Sequence, residues 1–153
     1  MSEENWFDAI EVGDCFHSEV EIEVTAEAII AFAETYDPQP GHLSEELAKA
    51  TPFKGLAASG WHTAAITMRL LAETGWTDTI GLGVSLKWPT ATRPGDHLRL
   101  EGRITSKRLS ESRPDTAILG IEYTTLNHDG EVRQITEATV MATSTFHVPL
   151  HRD

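Results

Sequence analysis

Residues 16–24 read FHSEVEIEV, in which Val20, Ile22 and Val24 alternate with Glu19, Glu21 and Glu23. A period of two marks a strand with one wet face, and a first strand is predicted here. Thr25 is placed to cap a short helix running through Phe32 or Thr35, with Glu27 in the first turn and Ile29, Ile30 and Phe32 on the buried side. The following Tyr36-Asp37-Pro38-Gln39-Pro40-Gly41-His42 contains two prolines and a glycine, which predict a shaped loop and exclude helix and central strand. Ser44 opens a further short helix over residues 45–50, stopped by Pro52 and the Lys54-Gly55 turn.

Residues 59–73 carry the most apolar helical pattern of the chain. Trp61, Ala64, Ala65, Met68, Leu71 and Ala72 cover most of its circumference and Gly75 is placed to end it, so this helix is expected to be enclosed. Beyond it the pattern turns to strand over residues 81–88, 96–109, 117–126 and 131–146, with turns at Pro94-Gly95-Asp96 and Asn127-His128-Asp129-Gly130. No linker, repeat or low-complexity stretch divides residues 1–153, and a single domain is expected. One strand, short helices, one long apolar helix and four long strands predict an α+β architecture, an antiparallel sheet wrapped around a central helix.

Composition narrows the partners. The 153 residues are 40% hydrophobic and 24% charged, the balance of a domain with one core. Lys and Arg number 12 against 24 Asp and Glu, a formal net charge of -12, and such a field repels nucleic acid and anionic lipid surfaces. No run without a charged residue exceeds the fourteen residues from Gly55 to Met68, too short for a membrane-spanning helix. Met1-Ser2-Glu3-Glu4-Asn5 is acidic and unlike a signal peptide, and the lone Cys15 can form no internal disulfide; a reducing cytoplasm is expected.

The segment YDPQPGHLSEELAKATPFKGLAASGWHTAAI carries the chemistry. It resembles the MaoC-like dehydratase family, relatives of the R-specific enoyl-CoA hydratases, whose motif is aspartate, any residue, Asn or Gln, proline, usually an apolar residue, then histidine. Asp37, Gln39, Pro40 and His42 match, while Gly41 departs from the usual apolar residue and Gln39 stands where Asn is commoner. Pro52-Phe53, Gly55-Leu56 and Ala58-Ser59-Gly60 resemble the family's approach to the central helix, and Arg93-Pro94-Gly95-Asp96 its later strand turn. The resemblance covers nearly the whole chain and implies the hot-dog fold.

Adding water to a double bond conjugated with a thioester needs a base for the water, an acid for the α-carbon and donors for the enolate oxygen. Asp37 and His42, five positions apart on a proline-stiffened segment, can converge on one water. The resemblance implies that they bind and activate it, and leaves open which of the two donates the proton. It points to the Gly60 amide as the oxyanion donor, at the positive end of the central helix where amides lack intrahelical acceptors. Ser59, preceding it, reads as a helix cap beside the substrate and not as a nucleophile, since Ala57-Ala58-Ser59-Gly60-Trp61 is not a G-x-S-x-G elbow.

A coenzyme A substrate would bring phosphates to an acidic protein, and Lys54, Lys87 and Arg93 are the candidate cations. His62, on the helix, reads as a structural histidine. His17, His97, His128, His147 and His151 are scattered without metal-binding spacing, and no nucleotide fingerprint is present, so neither metal nor cofactor is expected beyond the coenzyme A thioester itself. The expected function is hydration or dehydration of an acyl thioester by an Asp37–His42 dyad, in a homodimer or higher homo-oligomer. Two alternatives remain: a noncatalytic acyl-CoA-binding subunit, and an acyl-CoA thioesterase, for which Glu73 at the helix end is poorly placed.

Overall fold

The computed structural model describes residues 6–147 and 149–152. Residues 1–5, on which the reading of the N-terminus rests, lie outside them. The chain forms β1 (Cys15–His17), β2 (Ile22–Glu23), α1 (Ala26–Tyr36), α2 (Pro40–Leu43), α3 (Glu45–Lys49), α4 (Gly60–Glu73), β3 (Thr77–Lys87), β4 (His97–Leu109), β5 (Thr116–Leu126) and β6 (Val132–His147). The antiparallel sheet has the order β1-β4-β5-β6-β3, with β2 also paired to β4. No helix among the described residues is long and apolar enough to cross a membrane.

Local chemistry sets most of these limits. Thr25 caps α1 by accepting from Ala28 N–H at 3.1 Å, and Ser44 caps α3 by accepting from Leu47 N–H at 3.1 Å. Gly75 (φ 87°) closes α4, and Gly95 (φ 90°) and Gly130 (φ 77°) form the turns into β4 and β6, left-handed conformations that glycine adopts without steric cost. Phe16, Val24, Ile29, Leu70, Leu98, Leu100, Ile104, Leu119 and Ile121 fill the core between helices and sheet.

Three expectations are corrected. The first strand is two strands: His17 and Ile22 are five residues apart while their partners on β4, Glu101 and Leu98, are three apart, so two extra residues bulge out and leave Val20 exposed. The proline-rich segment is not all loop, because Pro40 takes the first position of α2, where a missing N–H and a fixed φ cost nothing, and this turn carries His42.

The third correction concerns α4, which is not enclosed. Its buried side chains are His62, Thr63, Thr67, Leu70 and Leu71, whereas Trp61 and Met68 are 63% and 59% exposed and Ala65 and Ala72 lie outward with them. The polar inner face is hydrogen-bonded to the strands and their loops: Thr63 Oγ1 donates to Thr92 Oγ1 at 2.9 Å, and Thr67 Oγ1 lies 2.7 Å from Thr125 Oγ1. These bonds hold the helix at a fixed depth over the sheet.

Candidate active site

Asp37 ends α1. Its backbone leaves the helix at φ -150° and ψ 68° while its N–H still donates to Ala33 O at 2.9 Å, so the last turn of α1 aims the carboxylate. Ser59 Oγ donates to Asp37 Oδ2 at 2.7 Å and Gln39 Nε2 donates to Asp37 Oδ1. The Ser59 bond is the largest influence holding the carboxyl below the ordinary 3.8; burial opposes it, and the Gln39 bond and the His42 charge add to it. Asp37 is therefore a carboxylate at neutral pH.

His42 lies five positions on and is buried. Its Nδ1 sits 2.7 Å from Ala57 O, a carbonyl that can only accept, so Nδ1 carries a proton and Nε2 is the site at which the ring gains or loses one. Nε2 is 3.5 Å from Asp37 Oδ2, with the two side chains 6% and 17% exposed. The Phe53 ring lies against the imidazole, centroids 5.2 Å apart. Gly41, the departure from the family motif, makes room for it: a Cβ there would lie 2.5 Å from the Phe53 ring.

The segment between α3 and α4 completes the site. Ala57 N–H donates to Gly41 O at 3.0 Å and Ala58 N–H to Thr92 O at 2.9 Å, stitching it between α2 and the loop after β3. Ser59 caps α4 through a 3.3 Å bond from Trp61 N–H, leaving the Gly60 amide without an acceptor among the described residues. The Trp88 ring covers Gly60 so closely that a Cβ there would lie 2.8 Å from it, and Trp88 is tied down by its Nε1 donating to Gln134 Oε1 at 2.9 Å. A cavity of about 450 Å3, within the usual range for ligand sites, opens here against His42, Phe53, Gly60, Thr63, Trp88 and Thr92.

The structure brings together Asp37, His42, Ser59 and Gly60, and gives Ser59 a second task that the sequence reading lacked, that of donor to Asp37. Arg93 borders the same cavity, but its guanidinium donates to the carbonyls of Phe53 (2.7 Å), Gly55 (3.0 Å) and Leu56 (3.3 Å), so it fixes the segment ahead of α4. Lys54, at φ 58°, and Lys87, at the end of β3, are exposed. His17 stacks on His151 and His97 packs edge-on against His128, and none of these four lines the cavity. Trp88, Thr63, Thr92 and the buried Arg133, held by Asp96 at 2.9 Å, also border the cavity and were not expected. Thr63 reaches it from the first turn of α4, while Arg133 on β6 and Trp88 and Thr92 in the β3–β4 loop arrive through long-range pairings that no local spacing encodes.

A long α4 against an antiparallel sheet defines a hot-dog fold, and at one end of it lie an Asp–His pair and a helix-start amide without an acceptor among the described residues. The sequence pattern of the MaoC like domain matches residues 9–125, and the chain belongs to that family. The crystal structure of the MaoC-like dehydratase from Rhodospirillum rubrum is similar over 89% of this chain and 94% of that one, with 50% identity and a TM-score of 0.85. The (R)-hydratase from A. caviae involved in PHA biosynthesis is similar over 86% of this chain and 96% of its own, with 26% identity and a TM-score of 0.69. The uncharacterized protein YdeM of Bacillus subtilis (strain 168) is 34% identical over 88 residues, 57% of this chain and 62% of that protein, so the match spans less than two thirds of that relative.

Proposed function

We propose that the protein is a hydro-lyase that adds water across the double bond of a 2-enoyl thioester and, in reverse, dehydrates the 3-hydroxyacyl thioester. The observation that carries this reading is the 3.5 Å approach of His42 Nε2 to Asp37 Oδ2, with His42 Nδ1 committed to Ala57 O. Two acceptor atoms so placed can both receive hydrogen bonds from one water. The water oxygen bonds to C3 as the double-bond electrons move through C2 onto the thioester oxygen, and the Gly60 N–H donates to that oxygen. The water's proton passes to the Asp37–His42 pair and a proton returns from the pair to C2, so none is consumed. Coenzyme A is the favoured carrier, with exposed Lys54 and Lys87 available to its phosphates.

Thioester hydrolysis is less well supported, because the one acidic residue of α4, Glu73, sits at the far end and pairs with Arg69 at 2.7 Å. We propose further that the working unit is a homodimer: β3 is an edge strand, and Ile80, Leu82 and Val84 on it are 58%, 54% and 63% exposed beside the outward face of α4. Hydration is read directly as loss of the ultraviolet absorbance of crotonyl-CoA. Asp37→Asn and His42→Ala should each lose most turnover and remain folded, with the double variant little worse than either single one. Activity within a few-fold of wild type in either folded variant would remove the dyad from the mechanism.

A further inference from the structure

Leu56, Ala57 and Ala58 are buried, and the two peptide units that join them are each held at both ends. In the first, Leu56 O accepts from Arg93 Nη1 at 3.3 Å while Ala57 N–H donates to Gly41 O at 3.0 Å. In the second, Ala57 O accepts from His42 Nδ1 at 2.7 Å while Ala58 N–H donates to Thr92 O at 2.9 Å. A peptide unit is planar, so its C=O cannot turn without its N–H. The direction of the Ala57 carbonyl, on which the His42 tautomer depends, is therefore tied to the bonds of the unit before it. Ser59, the donor to Asp37, follows directly, so both members of the dyad hang from this segment.

Arg93 holds the carbonyl side of the segment. An arginine carries five N–H donors in a rigid fork, and three of those of Arg93 go to the main-chain oxygens of Phe53, Gly55 and Leu56. Arg93 is anchored in turn: its own N–H donates to Asp96 Oδ2 at 2.9 Å, and Asp96 is gripped by the buried Arg133. A lysine in its place would keep the charge and lose the fork. A buried carbonyl left without a donor is costly, so without the guanidinium the Leu56–Ala57 unit would turn toward another partner and swing the Ala57 oxygen away from His42.

We propose that Arg93 is a positioning residue for the dyad, whose guanidinium sets the Ala57 carbonyl that keeps the His42 proton on Nδ1 and aims Nε2 at Asp37, in place of the phosphate-binding role its charge suggests. Its consequence for turnover rests on the hydratase reading above; its effect on the His42 ring does not. The test uses Arg93→Lys and Arg93→Ala, each checked for folding by circular dichroism. In wild type, proton NMR should show a hydrogen-bonded imidazole N–H resonance, assigned to His42 by its absence from His42→Ala. Both Arg93 variants should lose or broaden it. Crotonyl-CoA hydration should fall about 10²-fold in kcat, the scale of a small misplacement of reacting groups, with KM within about twofold of wild type. Guanidinium chloride at a non-denaturing concentration should restore part of the activity and of the resonance to Arg93→Ala, and sodium chloride at equal ionic strength should restore neither. Should Arg93→Ala not fold, Arg93→Lys decides through the resonance and the kcat. An unchanged His42 resonance in a folded variant would overturn the assignment, and so would a raised KM with kcat intact, the mark of a lost phosphate contact. Wild type that hydrates no enoyl thioester would overturn the hydratase reading instead, and the His42 resonance would still decide the role of Arg93.

Discussion

Ser59 acts twice through one oxygen. Its hydroxyl donates to Asp37 Oδ2 at 2.7 Å and accepts from Trp61 N–H at 3.3 Å, so one atom both caps α4 and keeps Asp37 charged. Because the Ser59 bond is the largest cause of the lowered Asp37 pKa, Ser59→Ala should let that pKa rise. A dyad that needs the carboxylate then loses activity at a higher pH: the acid limb of the kcat/KM profile should move upward, while activity near pH 8 falls much less. Loss of the cap should cost about 1 kcal/mol of stability, read by denaturant unfolding. An acid limb that stays in place would mean that Asp37 does not work as the ionised partner. At this scale the sequence was legible where chemistry is local. Asp37, Gln39, Pro40 and His42 form one short motif that its resemblance to the family's picks out, whereas the Ala57 carbonyl that fixes the His42 tautomer lies 15 positions away and no motif points to it.

Among the elements, α4 exposes the difference between finding a helix and knowing how it faces. Its limits could be read from Ser59 and Gly75, and it runs Gly60–Glu73. Its orientation was misread, since apolar residues on most of its circumference suggested burial on every side, while the buried interior takes His62, Thr63 and Thr67 and leaves Trp61 and Met68 outside. Hydrophobic periodicity weighs side chains by transfer energy and has no knowledge of Thr92 and Thr125 waiting as partners on the other side. The start of the same helix offers a direct test of the oxyanion donor. Gly60→Pro and Gly60→Ala both place a Cβ against Trp88, at 2.8 Å before any adjustment, so both should lose stability; Trp88→Leu as a common background relieves this. They differ in the N–H, and Ser59 at φ -52° and ψ 141° already has the extended conformation required ahead of proline. In that background the proline variant should turn over about 10²–10³-fold more slowly than the alanine variant. Equal rates would leave Gly60 a purely steric role beneath Trp88.

For the whole molecule, the two misplaced apolar surfaces become one argument. The outward face of α4 and the edge strand β3 meet along a cleft of about 540 Å3 lined by Met68, Leu71, Trp76, Leu82 and Val84, away from Asp37 and His42. Fully burying one such aliphatic side chain contributes roughly 1.5–3 kcal/mol, so Met68, Ile80, Leu82 and Val84 together could offset much of the cost of holding two chains together. Opposing them is the charge: each copy carries -12, and two like-charged molecules repel until salt screens them within a Debye length of about 8 Å at physiological ionic strength. Dimerisation through this face should therefore strengthen as salt is raised from low to physiological levels, the reverse of an interface built on opposite charges. Sedimentation equilibrium at about ten micromolar protein should give the dimer mass for wild type and the monomer mass for Val84→Glu, which sets a carboxylate in the centre of the apolar face and must desolvate it to associate. A wild-type monomer at physiological salt would overturn the homodimer, and a Val84→Glu variant that still sediments as a dimer would place the association surface elsewhere and leave the exposed side chains of β3 without a role.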